Sequence, residues 1–356
     1  MNRVLYSPGG KALINDPETL TGVVLNGGHG IYDVHTDNGI LRCTLRGKLK
    51  KAFAQAQSAK SINKVRPRYD KMLDAPRTQR IERREKSAEA LPVRLTVGDF
   101  VKLRQLDTRT GMIEEILPRQ STLSRKDAAS TASRPIEQTM LVNLDQVVLV
   151  FATAQPEPHF GMLDRYLAIC ESAEIRPLIC LNKVDLPHDS CVEEAAALYS
   201  GLGYTVIWTS SKTGEGIEDL SSLLKDHTSL FSGPSGVGKS SLVNAIEPGM
   251  AIKTGLISDA TGKGKHTTTG SQLYPLSEGG WLADSAGIRA LATWNIPPEE
   301  LAWCFVEFRP YLNECFFSDC LHIDEADCAI HQAVEDEVLN EQRYTSYVRM
   351  ATGKER

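Results

Sequence analysis

Two short stretches have residue types and spacing suited to phosphate and base chemistry. Gly233-Pro234-Ser235-Gly236-Val237-Gly238-Lys239-Ser240 has the form GxxxxGK[ST], with the apolar run SLFS before it and a helical run, SLVNAI, opening at Ser241. Backbone N–H groups and a helix N-terminus converge on phosphate oxygens in a strand, glycine-rich turn and helix arrangement of this kind. The motif therefore predicts Lys239 on the β and γ phosphates and Ser240 on Mg²⁺. Gly233 and Gly238 stand where a Cβ would collide with an approaching backbone. Asn182-Lys183-Val184-Asp185 follows the apolar run PLICL. A carboxylate at Asp185 accepts two parallel hydrogen bonds from guanine N1 and N2, and adenine has no donor at either place. Asn182 is expected to hold its loop and touch N7, and the Lys183 stem to cover the base face. Thr209-Ser210-Ser211-Lys212-Thr213-Gly214-Glu215-Gly216 comes after the next strand, where a backbone N–H can reach guanine O6. An NKxD string alone is weak evidence; its place after a strand, one βα unit before SSKTG, is far more specific.

The order of these motifs is unusual. A conventional GTPase meets its phosphate loop first and its base-reading loops last, whereas this chain meets Asn182, then Ser210, then Gly233. A parallel sheet tolerates such a circular permutation because site residues hang from strand ends, whose geometry survives a moved chain break. The remaining elements follow. Gly262-Lys-Gly-Lys-His266-Thr267-Thr268-Thr269 is a polar loop suited to a switch, and Trp281-Leu-Ala-Asp284-Ser-Ala-Gly287 reads as a strand ending in Asp and Gly. Asp284 is expected to hold Mg²⁺ through water, Gly287 to donate its N–H to the γ phosphate, and a threonine among 267 to 269 to complete the metal shell. Where many GTPases place a water-orienting Gln, this chain has Ile288. Slow turnover is expected unless another group or a partner supplies that function. His266 is the nearest titratable candidate; the alternative for it is a solvated or RNA-facing histidine.

A third cluster, Cys315-x4-Cys320-x-His322-x5-Cys328, offers three thiolates and one imidazole within 14 residues. Four soft ligands with no spare carboxylate favour tetrahedral Zn²⁺ in a closed structural site; buried free cysteines are the alternative. The other five of the eight cysteines are scattered, which suits a reducing compartment better than a disulfide frame.

The 356 residues that must position these groups suit two or three units. Residues 22 to 49 and 92 to 116 read as short strands between glycine turns, which predicts a five-stranded barrel of oligonucleotide-binding type, or another small barrel, within residues 1–120. A basic insertion over about 50–92 interrupts it, expected as one or two solvent-facing helices or a partly disordered stretch. Residues 121–138 read as a polar linker. Buried strands alternating with amphipathic helices predict a mostly parallel α/β domain over 139–296, and 297–356 a helical zinc-binding domain.

The formal net charge is −5, yet residues 46 to 94 hold 15 Lys and Arg against 5 Asp and Glu. A basic block beside a barrel suggests contact with a phosphate backbone, with a plain solvated face as the alternative. Phe53 and Tyr69 are the only aromatics between 46 and 91, so duplex or folded RNA is favoured over a stacked single strand. No run approaches the roughly 18 apolar residues of a membrane span, and the first twenty residues lack a signal-peptide pattern. A monomer in the cytoplasm, or in an organelle matrix or stroma if imported, is expected, with no membrane association.

The strand GVV at residue 22, NKVD, GPSGVGKSSLVN, GKGKHTTT and CFFSDCLH...C, in that order, resemble the ribosome-small-subunit-dependent GTPase A family from residue 22 to the helices after Cys328. The resemblance implies a barrel, a permuted GTPase domain and a zinc domain. It also implies GTP hydrolysis stimulated by the small ribosomal subunit late in its maturation, with rRNA as the contact surface. It places phosphate binding on Gly233 to Ser240, guanine reading on Asn182, Lys183 and Asp185, a switch on His266 to Thr269, and zinc on Cys315, Cys320, His322 and Cys328. Two features depart from the family: Asp284-Ser285-Ala286-Gly287 replaces the usual Asp-Thr-Pro-Gly, and the basic insertion is longer. The alternatives are a permuted GTPase of large-subunit assembly and a GTP-gated RNA-binding scaffold with little hydrolysis.

Overall fold

A computed structural model of the chain describes residues 19–28, 30–60, 94–126, 137–250, 271–283, 296 and 298–354. They group into two compact units, one within Met1–Thr122 and Met140–Asn143, the other within Leu123–Thr139 and Leu144–Arg356.

In the first unit β1 (Leu20–Gly28), β2 (Ile31–Thr36), β3 (Gly39–Leu45), β4 (Phe100–Gln105) and β5 (Thr110–Ile116) close a barrel in the order β1-β2-β3-β5-β4. Only the β3–β5 pair is parallel. This is the five-stranded barrel expected from the turn spacing. Alternation drives it: along β3, Leu41, Cys43 and Leu45 are buried while Arg42 and Thr44 are exposed. Helix α1 (Gly47–Lys60) opens the basic insertion and differs from the solvent-facing helix expected there. Leu49 and Phe53, four residues apart and so on one face, are buried in the barrel core. Phe53 is thus a core residue, not a stacking platform. Residues 61–93, with Tyr69, lie outside the described residues.

Ahead of the large sheet of the second unit, the stretch read as a linker carries strand at both ends, β6 (Thr122–Lys126) and β7 (Glu137–Val142), paired as a two-stranded sheet. The main sheet contains β8 (Gln146–Ala152), β9 (Arg176–Asn182), β10 (Thr205–Thr209), β11 (Thr228–Ser232), β12 (Leu273–Pro275) and β13 (Trp281–Ala283), ordered β10-β9-β8-β11-β13-β12. All neighbours are parallel except β12 and β13. Every residue of β8 and of β11 is buried, as a central strand covered on both faces requires. Helices α2 (Phe160–Ala173), α3 (Cys191–Gly201), α4 (Ile217–Leu224) and α5 (Lys239–Ile246) make the crossovers. From β8 the chain moves outward through β9 and β10, then returns to the other side of β8 at β11. The reversal of strand order beside β8 is where open α/β sheets form a ligand crevice, at the carboxyl ends of the strands.

The C-terminal part of this unit comprises α6 (Pro298–Leu301), the 3₁₀ turns Ala302–Cys304 and Val306–Phe308, α7 (Ala329–Glu335) and α8 (Glu341–Ala351). Phe305, Phe308 and Tyr347 form its aromatic centre, with ring centroids 5.1 to 5.4 Å apart. Within that centre Arg343 of α8, 2% exposed, is held between two carboxylates. Its Nη1 donates to Asp164 Oδ1 of α2 at 2.7 Å, and its Nε and Nη2 donate to the two Glu307 oxygens at 2.6 and 3.0 Å. The Tyr199 hydroxyl of α3 donates to the same Asp164 oxygen at 2.7 Å, and the Phe305 ring lies 4.5 Å from the guanidinium carbon. One cation thereby joins α2, α3, the second 3₁₀ turn and α8.

Removing one partner of a buried ion network leaves the others charged and uncompensated, at a cost of about 3–5 kcal/mol. Arg343→Leu is expected to lower the free energy of unfolding by about that much in urea denaturation. A loss below about 1 kcal/mol would reduce the network to packing alone.

Candidate nucleotide-binding and metal sites

Three loops leave the carboxyl ends of β9, β10 and β11, and one side chain joins them. Asn182, the last residue of β9, is fully buried. Its Nδ2 donates to the Val237 carbonyl of the phosphate loop at 2.8 Å. Its Oδ1 accepts from the Thr209 hydroxyl at 3.2 Å and, more weakly, from the Ser211 N–H at 3.4 Å. Lys183 adopts a left-handed backbone (φ 69°), which a non-glycine residue takes up only under constraint from its surroundings. Its ammonium donates to the Gly236 carbonyl at 2.7 Å and to the Gln155 carbonyl, so it crosses the phosphate loop as a strut. Asp185 accepts from the Ser210 hydroxyl at 2.7 Å and faces Lys212 Nζ at 3.5 Å. The Ser210 bond first, with Lys212 contributing, holds the Asp185 carboxyl below its ordinary range and so keeps it an ionised acceptor. Ser210 itself organises its loop, because its hydroxyl oxygen accepts the N–H groups of Lys212 and Thr213 at 3.2 and 3.1 Å.

The phosphate loop runs from the end of β11 into α5. Gly233 has φ 140°, and a Cβ there would stand 2.1 Å from the Val150 carbonyl oxygen. Gly238 has φ 97°, and a Cβ there would stand 2.3 Å from Asn182 Nδ2. Both glycines are therefore set by close approach as well as by dihedral angle. Val237 is buried in the core below the loop, whereas Ser235, Gly236 and Ser241 are exposed and Pro234 and Ser240 half-buried. Lys239 Nζ donates to the Gly233 and Pro234 carbonyls at 2.8 and 2.6 Å, over the mouth of the loop.

The structure thus brings together Asn182, Lys183, Asp185, Ser210, Ser211, Lys212 and Gly233 to Ser241. His266, Thr267, Thr268, Thr269, Asp284 and Gly287 lie outside the described residues. β13 ends at Ala283, paired with Leu230 of β11. Sequence reasoning placed Thr209 at the start of the base-side loop without its contact to Asn182 and missed Gln155, which acts through its carbonyl and offered no signal.

The four sulfur and imidazole donors also converge. Cys315 Sγ and Cys328 Sγ lie 3.9 Å apart, with His322 Nδ1 at 3.4 and 3.5 Å from them, and the donor atoms of Cys315, Cys320, His322 and Cys328 all fall within 4.8 Å of one another. Burial first, and the neighbouring sulfurs after it, push Cys320 up to about 12, and burial lowers His322 so that its ring is neutral. Three sulfurs this close ionise only around a cation, and a neutral imidazole completes a tetrahedral set, so the donors fit Zn²⁺. The surrounding loop is held independently of the donors. Glu325 accepts the Leu321 and Ile323 N–H groups at 2.8 Å each, and Tyr347 donates to the Leu321 carbonyl at 2.5 Å.

Residues 116–294 match the family model described as RsgA GTPase. The small ribosomal subunit biogenesis GTPase RsgA of Gemmatimonas aurantiaca is 39% identical over 336 residues, 93% of this chain and 96% of that relative. The protein of the same name from Caldanaerobacter subterraneus subsp. tengcongensis is 36% identical over 331 residues, 93% of this chain and 94% of its own length. The crystal structure of YjeQ from Thermotoga maritima superposes with a TM-score of 0.68 at 31% identity, covering 94% of this chain and 98% of that one. YloQ, a circularly permuted GTPase, does so with a TM-score of 0.65 at 29% identity, covering 95% of each chain.

A methyl group at position 238 would break the contact between the base-reading and phosphate loops. Gly238→Ala is expected to weaken binding of a fluorescent GTP analogue roughly a hundredfold, a loss of about 2.7 kcal/mol, with the far-UV circular dichroism unchanged. Unaltered affinity would show that the Asn182 contact does not govern the site.

Proposed function

Because this chain belongs to the RsgA GTPase family, we propose that it hydrolyses GTP to GDP and phosphate while engaged with the small ribosomal subunit late in its maturation, contacting rRNA. The observation that carries the reading is Asn182. A single buried amide joins a carboxylate loop of guanine-selective form to a glycine loop of phosphate-binding form, across the ends of the two strands that flank β8 in a permuted sheet. The relatives that span nearly the whole chain are small-subunit biogenesis GTPases, which supports that partner over the large subunit. The basic insertion supports rRNA contact through phosphates.

In this reading Asp185 receives guanine N1–H and N2–H, the Ser210–Lys212 loop turns a backbone N–H toward O6, and the Lys183 stem lies against the base. Gly233 to Ser241 hold the phosphates, with Lys239 turning its ammonium from the loop carbonyls to the β and γ oxygens. Ser240, Asp284 and a threonine among 267 to 269 would hold Mg²⁺, which supplies positive charge against the phosphate oxygens. Water adds to the γ phosphorus as the bond to the bridging oxygen breaks, and GDP leaves with that electron pair. Gly287 receives the γ phosphate. Because Ile288 has no polar side chain, water is oriented by His266 or by a group from the subunit, and turnover of the isolated protein is slow. Cys315, Cys320, His322 and Cys328 would hold one structural Zn²⁺.

The test is phosphate release from GTP and ATP, with and without purified small subunits. Subunits are expected to raise kcat for GTP at least tenfold, Lys239→Ala to abolish the gain, and Asp185→Asn to erase the preference for GTP over ATP, as expected when buried donors lose their acceptor. Fast turnover without subunits, or an unchanged preference in Asp185→Asn, would overturn the reading.

The zinc assignment predicts that Cys320→Ser reduces zinc per chain and loosens residues 313–328 in hydrogen exchange, yet leaves GTP affinity within about threefold of the parent. Full zinc content in that variant would remove Cys320 from the ligand set.

A further inference from the structure

The loop that carries the four metal donors turns apolar side chains outward. Phe316 is 76% exposed, Phe317 46% and Leu321 41%, although the centre of the same segment is already filled by Phe305, Phe308 and Tyr347. The two phenylalanine rings meet edge to face with centroids 5.0 Å apart. Their backbone is fixed, since Phe316 N–H donates to the Asp327 carbonyl and Cys320 N–H to the Phe317 carbonyl, each at 3.3 Å. A rigid, adjacent aromatic pair left in water is the form that a binding hot spot takes.

Charge identifies what it takes. From Asn313 to Gln342 the chain holds nine Asp and Glu and no Lys or Arg. Glu314, Asp319, Asp324 and Asp327, in the same loop as the phenylalanines, are exposed. Four cationic residues follow at Arg343, Arg349, Lys354 and Arg356, and the first is buried against Asp164 and Glu307. Three thiolates around one Zn²⁺ would add a further net negative charge. A phosphate backbone meets repulsion here, whereas lysine and arginine side chains find carboxylates at the rim and aromatic faces at the centre.

We propose that this face, centred on Phe316, Phe317 and Leu321, docks a protein segment rich in lysine and arginine interspersed with aliphatic residues, and that it does not bind RNA. A ribonucleoprotein partner presents both phosphates and basic protein segments. Taken with the small-subunit reading, the face assigns the C-terminal contact to protein.

The full-length, zinc-loaded chain is titrated with a short fluorescent peptide of alternating lysine, arginine and leucine, and in parallel with an RNA hairpin. Peptide binding is expected to weaken at high salt and to fall roughly tenfold both in Phe316→Ser/Phe317→Ser and in Asp319→Lys/Asp324→Lys. Hairpin binding is expected to be unchanged in the first variant and tighter in the second. Zinc per chain shows whether each variant keeps the loop folded; where it does not, Phe317→Ser alone replaces the aromatic pair. Absence of peptide binding by the parent overturns the proposal, as does peptide affinity unaffected by the variants. Loss of hairpin affinity in the aromatic variant overturns it too, by assigning the face to nucleic acid. Neither GTP nor subunits enter the measurement, so its failure leaves the GTPase reading standing.

Discussion

One buried amide sets the geometry of the nucleotide site. Asn182 has no exposed surface, and its oxygen and nitrogen are committed to two other loops. A primary amide is the only neutral side chain with both two donors and a strong acceptor, so the position could not be filled by aspartate or leucine without leaving a buried carbonyl or hydroxyl unpaired. The close approach at Gly238 follows from this contact, and the Lys183 strut and the Asp185–Ser210 bond reinforce it. The loops come from strands on the two sides of β8 in a permuted chain. The amide therefore does in three dimensions what order along the sequence does not.

That arrangement explains why permutation is harmless. Every group of the site hangs from a strand end, and parallel pairing holds β9, β10 and β11 in register with β8 whichever strand comes first in the chain. The reversal of strand order beside β8 leaves the crevice where a doubly wound sheet has one. The relevant constraint is the sheet order, and the chain order is free to vary around it.

Much of this was legible in the sequence because the backbone of a phosphate loop is dictated locally: Gly233 and Gly238 mark dihedral angles and contacts that few other residues satisfy. The apolar run VVLVFA of β8 announced a buried parallel strand, and glycine turns announced the barrel. What remained hidden acts through non-local side-chain contacts or through backbone atoms. The Gln155 carbonyl that receives Lys183 has no side-chain signature. Leu49 and Phe53 sit in a basic block whose composition suggested solvent, and the barrel core claims them. Arg343 lies in a helix, EQRYTSYVRMA, that reads as polar, and nothing in its neighbours announces two distant carboxylates. The strands β6 and β7 were masked by serine, threonine and alanine around them.

The Arg343 contact with Asp164 spans 179 residues. Helix α2 is made early in the synthesis of the GTPase unit, and its buried carboxylate meets its cation only after the whole sheet has been made. Loop closure over such a distance comes late and is costly in entropy. A growing chain can form the sheet as its strands emerge, yet the face of α2 around Asp164 stays unsatisfied until α8 has left the exit tunnel. Any truncation before Arg343 accordingly leaves Asp164 and Glu307 buried without the cation that joins them.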